Sequence, residues 1–86
     1  MDKVLDVDFH VIWKAPVFVR IGSGMRERID GPEAALAALL HRWPSVNQQE
    51  FAIAKRSCDD AITRHGSAEA ARSAFVDAAL AAKVFA

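Results

Sequence analysis

Eighty-six residues make one domain at most, and a chain this short hides a limited share of its surface on folding, so its stability margin is thin. The net charge is zero, 11 Lys and Arg against 11 Asp and Glu, which argues against a general binder of nucleic acid or anionic membranes, because such partners demand a cationic surplus. One cysteine, Cys58, excludes an internal disulfide, and the longest apolar run, Ala34 to Leu40, is too short to cross a bilayer.

No secretion signal is visible at Met1-Asp2-Lys3-Val4, so a reduced, cytoplasmic setting is the expectation. Hydrophobic residues make up 52% of the chain, but 17 of them are alanines, which bury little area. The larger side chains Phe9, Trp13, Phe18, Leu36, Leu39, Leu40, Trp43, Phe51, Phe75, Leu80 and Phe85 are therefore expected to carry the core. A small core favours gaining burial by self-association, so a homodimer is expected.

Residues 1–6 read as loose. Val7, Phe9 and Val11 alternate with Asp8 and His10, a period of two that predicts a strand over about 7–13. Lys14-Ala15-Pro16 interrupts it, and Pro16, without an N–H, suits the start of a new strand. Val17, Val19 and Ile21 alternate with Phe18 and Arg20, giving a second strand over about 17–22. Gly22-Ser23-Gly24 supplies a turn, and about 25–29 returns as the partner strand. In that pairing Met25, Glu27 and Ile29 share one face, and Arg20, Arg26 and Arg28 share the other.

Asp30-Gly31-Pro32-Glu33 is a helix start, with Asp30 or Gly31 as cap, Pro32 in the first turn and Glu33 at the positive end of the dipole. The helix runs over about 32–43 on a stripe of Leu36, Leu39, Leu40 and Trp43, and Pro44 stops it. A second helix comes next over about 48–65, with Phe51, Ala54, Cys58, Ala61, Ile62 and His65 on one side. Gly66 closes it and Ser67 caps the next. The third, about 68–83, carries Ala71, Phe75, Ala78 and Ala82 on its stripe and pairs with the second as an antiparallel hairpin. Strands and then helices make an α+β fold, either a hairpin or a three-stranded meander with three helices, in a single domain over 1–86.

The stretch Trp13-Lys14-Ala15-Pro16-Val17-Phe18-Val19-Arg20-Ile21-Gly22 resembles the opening of a family of short bacterial proteins known as domain of unknown function 982. The segment Leu39-Leu40-His41-Arg42-Trp43-Pro44 is similar to that family's Leu-Leu-x-x-Trp-Pro. The helix pair around Cys58-Asp59-Asp60-Ala61 and Ala70-Ala71-Arg72-Ser73-Ala74-Phe75-Val76 resembles the alanine-rich helix pair in the C-terminal half of such chains. The resemblance covers about residues 13 to 83. It implies a bacterial, cytoplasmic, one-domain protein, and it brings no activity, cofactor or catalytic residue.

Reactive residues are too scattered to suggest catalysis. Cys58 and His65 stand two helical turns apart, about 10.5 Å of rise, whereas a nucleophile pair meets at about 3 Å. His10, His41, Cys58 and His65 lack the close spacing of a zinc site. Adjacent Asp59 and Asp60 diverge by about 100° on a helix and cannot share a substrate; Asp60 with Arg64 reads as an i,i+4 salt bridge. The glycine turn at 22–24 leads into a strand, not into the helix N-terminus that phosphate loops use. No catalytic residue, metal or cofactor is therefore expected.

The candidate interaction residues are Arg20, Arg26 and Arg28, with Lys14 and Arg42 nearby, and the two tryptophans, Trp13 and Trp43. Arginines on one face suit phosphate or an acidic partner. Tryptophan serves as an interface anchor or as a core filler. The function expected is a non-enzymatic protein-interaction module binding itself or another protein, with no membrane partner. The alternative is nucleic-acid or phosphate-ligand binding through the arginine face.

Overall fold

The computed structural model describes residues 12–64 and 66–86. β-Branched alternation produces the hairpin: β1 (Val17–Val19) pairs antiparallel with β2 (Glu27–Ile29), Val17 opposite Ile29, Phe18 opposite Arg28 and Val19 opposite Glu27. Val17, Val19 and Ile29 are buried, while Arg28 is exposed on the other side with Phe18. The register centres the turn on Ser23, and Gly22 enters it at φ 71°, where a side chain would strain the backbone. Met25 falls beyond the paired residues and is exposed.

The strand expected over about 7–13 falls for residues 7–11 outside the described residues, as does the loose start over 1–6. Ile12 and Trp13 are in no strand, although the Trp13 amide donates to the Asp30 carbonyl at 2.7 Å. The turn after Trp13 is held from below by Arg72, whose Nε donates to the Ala15 carbonyl at 2.7 Å. Among the described residues the sheet is the two-stranded hairpin.

Three helices complete the fold: α1 (Pro32–His41), α2 (Gln49–Thr63) and α3 (Ala68–Ala81). α1 opens with extended Gly31 at the cap and Pro32 behind it, while the Asp30 carboxylate turns away to Arg28. α1 ends two residues before its expected limit, leaving Trp43 outside the helix but in the core. Gln48 precedes α2, and its Nε2 donates to the Ala81 carbonyl at 3.0 Å, tying the start of α2 to the end of α3. α2 ends at Thr63. The Gly66 amide reaches back to the Asp60 carbonyl at 2.9 Å, where a Cβ would meet Asp60 atoms at 3.1 Å, so a side chain there would require Asp60 to give by a few tenths of an ångström. Ser67 then caps α3, its Oγ accepting from the Ala70 amide at 3.0 Å.

α3 stops short of residue 83 through a backbone device. Lys83 adopts φ 63°, its amide donates to Leu80, and the Val84 amide donates to Ala79 at 2.9 Å. This is a Schellman closure with lysine where glycine is usual. It reverses the chain so that Phe85 bridges Val19, Arg20 N–H donates to Val84 O at 2.8 Å, and Ala86 N–H donates to Phe18 O at 2.9 Å. The outer edge of β1 is thus covered by the segment after α3. Left-handed backbone costs a non-glycine residue about 1 kcal/mol, so Lys83→Gly should raise stability by roughly 0.5–1 kcal/mol in urea titration. A loss on substitution would mean that the lysine side chain matters more than its backbone.

The core centres on Phe75, whose ring lies 5.9 Å from that of Trp13 and 5.4 Å from that of Trp43. Around it Ala35, Ala38, Ala54, Ala71, Ala78 and Ala79 are almost wholly buried, letting helix backbones approach closely. Three expected core residues are not there: Leu40, Leu80 and Phe85 are each about half exposed. The inward positions of α1 go to Ala35, Ala38 and Leu39, and those of α3 to Phe75, Ala78 and Ala79. One residue further turns Leu40 and Leu80 by about 100° towards water. Phe18 and Leu36 are only partly buried.

Candidate interaction surfaces

Two surfaces present groups that could engage a partner. On the outer face of the hairpin, the Arg26 guanidinium lies 4.4 Å above the Phe18 ring, a cation–π contact. Arg28 Nε donates to Asp30 Oδ1 at 2.7 Å. Arg20, exposed, stands two residues after Phe18 and continues the same side by the strand period. Arg26 and Arg28 thus lie with Phe18 on the outer face of the hairpin. Arg42 is drawn elsewhere, its Nη2 donating to Glu27 Oε2 at 2.7 Å.

The tryptophans belong to the interior. Trp13 is 3% exposed and Trp43 7%, so neither ring is available to a partner, and neither indole N–H finds an acceptor among the described residues.

The second surface is the outer side of α2, which sequence periodicity did not single out. Leu36 and Leu40 of α1, with Ala52, Lys55, Arg56 and Asp59 of α2, line a shallow cleft of about 450 Å³. Next to it, Ile53 stands between clefts shared with Ser57 and Asp60 on one side and with Ala70 and Ala74 of α3 on the other. Leu40 is 53% exposed and Ile53 50%. Ile53 lies about 120° round α2 from the centre of the Phe51, Ala54, Cys58 and Ala61 stripe. The Asp60–Arg64 ion pair expected from spacing is absent from the described ion pairs, which join Arg28 to Asp30 and Arg42 to Glu27.

Among the described residues, reactive groups do not assemble. Cys58 is fully buried, and that burial pushes its thiol from an ordinary 9.0 up to about 12. His41 is exposed at the end of α1, while His10 and the His65 side chain lie outside the described residues. Among the described residues, no three His, Cys, Asp or Glu side chains group to hold a metal, and no helix is long and apolar enough to cross a membrane.

The Cys58 thiol has a consequence for stability. Below pH 9 the folded and unfolded chains both keep its proton. Above pH 9 the unfolded chain ionises first, so stability falls with rising pH by about 1.4 kcal/mol per unit until the folded value is passed. Urea titrations above pH 9 should show this slope in the native sequence, and Cys58→Ala should lack that component. Equal slopes would mean that the thiol is not desolvated.

A two-stranded hairpin over three alanine-packed helices, with its one thiol buried, defines a small α+β scaffold. The chain belongs to the family described as a protein of unknown function, DUF982, whose family model matches residues 15–86. That span includes the closing segment paired with β1. No curated protein and no solved structure matches the chain.

Proposed function

We propose that this protein is a non-enzymatic interaction module whose contact surface is the outer side of α2 together with Leu36 and Leu40 of α1. The observation that carries this reading is the half-exposure of Leu40 and Ile53 on either side of Ala52, in a chain whose thiol is buried. Exposed aliphatic side chains beside shallow clefts gain burial when a partner covers them. The partner is a second copy or another protein, in a reduced cytoplasmic setting that suits an unpaired cysteine. Native protein and Leu40→Glu should be compared by sedimentation and as bait for retained proteins. Self-association, or retained proteins, lost in Leu40→Glu supports the module. A strict monomer whose retained proteins match those of the variant sinks it.

The cation–π pair of Arg26 and Phe18, flanked by Arg20 and Arg28, favours a second reading, binding of nucleic acid or a phosphorylated ligand. It predicts low-salt affinity for mixed DNA or RNA that falls steeply with salt and is lost in the Arg26→Ala, Arg28→Ala double variant. A flat binding curve at low salt removes it.

A further inference from the structure

Four charged residues on the outer side of α2 stand in an order that matters when the helix is reversed. Lys55 and Arg56 precede Asp59 and Asp60 by one turn. Arg56 and Asp60 line the cleft beside Ile53, and Lys55, Arg56 and Asp59 line the cleft beside Leu36 and Leu40. Among the described residues none of the four joins an ion pair; Lys55 lies instead 5.5 Å over the Phe51 ring. A basic pair ahead of an acidic pair becomes acidic ahead of basic when the helix runs the other way. The surface is thus complementary to itself under a two-fold rotation that sets α2 antiparallel to its copy.

We propose that this face docks on a second copy of the chain, α2 against α2 in antiparallel orientation, with the axis crossing the helix at the level of residues 57–59. The inference rests on the interaction-module reading and names its partner and geometry. In this arrangement Arg56 of one copy faces the partner's Asp60, and the reciprocal pair forms on the other side of the axis. Lys55 and the partner's Asp59 flank them. The rotation keeps the α1 side of one copy beside the α1 side of the other, and each Ala52, six residues from the level of residue 58, lies about 9 Å along the helix from the axis.

The test is a charge-swap pair read by sedimentation over a concentration series. Arg56→Asp places two acids in apposition, and Asp60→Arg places two arginines; each should weaken the dimer by about tenfold or more. An equimolar mixture of the two variants restores both pairs and should yield a heterodimer. Circular dichroism checks that each variant is folded; if either is not, Arg56→Gln and Asp60→Asn replace them, and each should still weaken the dimer. Single variants that dimerise like the native chain overturn this interface while leaving self-association through another face intact. Failure of the mixture to recover dimer also overturns it. A native chain that stays monomeric to high concentration overturns both the interface and the self-association part of the module reading.

Discussion

Replacing Phe75 by alanine should leave the chain without a stable fold at physiological temperature. Phe75 is fully buried, and its ring is tilted against both Trp13 and Trp43. Truncating a buried phenylalanine costs about 3–5 kcal/mol, and each lost aromatic pair can add about 0.5–1.5 kcal/mol. A domain of this size holds roughly 4–13 kcal/mol in total. The space left behind would not refill easily, because the buried neighbours Ala71, Ala78 and Ala79 have no side-chain rotamers to swing into it. The indoles are natural reporters: native emission should be blue-shifted and should redden in a single urea transition, whereas Phe75→Ala should begin red-shifted or unfold at very low urea. Phe75→Leu should keep a cooperative transition at a cost of about 1.5 kcal/mol. A loss below about 1 kcal/mol in Phe75→Ala would show that the three rings do not anchor the core.

The hairpin and the helix order were legible because each rests on local chemistry. Val17 and Val19 alternate, Gly22 tolerates positive φ, Pro32 opens α1, Gly66 permits a close approach to Asp60, and Ser67 caps α3. The placement of the large side chains was less legible. Spacings of three and four identify a stripe but not which neighbour of a buried residue shares it. Leu39 and Leu40 read alike in the sequence, and so do Ala79 and Leu80 as the continuation of a face. The choice is made by how closely the helices approach, and alanine at 35, 38, 78 and 79 draws the backbones together and leaves Leu40 and Leu80 outside. The tryptophans read as core or interface, with core favoured, because their burial depends on Phe75, far along the chain from both. The arginine face was readable from strand parity, whereas the α2 strip was not, since its apolar members come from two helices. The segment after α3 escaped altogether: its pairing is too short to show a period, and lysine at 83 hides a reversal that glycine would have announced.

That hidden segment carries the second large effect. Val84→Asp should destabilise the fold by about 3 kcal/mol or more and release the closing segment from β1. Val84 is 6% exposed, and its backbone carbonyl accepts the Arg20 amide while its own amide closes α3 on Ala79. A carboxylate at that position would be desolvated with no buried cation among the described residues to meet it, a cost of several kcal/mol unless it protonates or the segment moves out. Moving out is the cheaper response, since the segment is held to β1 by the Phe85–Val19 bridge and the hydrogen bonds of Arg20 and Ala86. Departure uncovers Val19, which is fully buried in the native fold, and leaves the Phe18 carbonyl and the Arg20 amide to water. Amide hydrogen exchange distinguishes this course from general softening. Arg20 and Ala86 should lose protection together, well before the α2 amides. Lowering the pH below the carboxyl range should recover part of the lost stability, because a protonated side chain at 84 is less costly to bury. Uniform loss of protection across α2 and α3 would instead make the closing segment an inseparable part of the helical core.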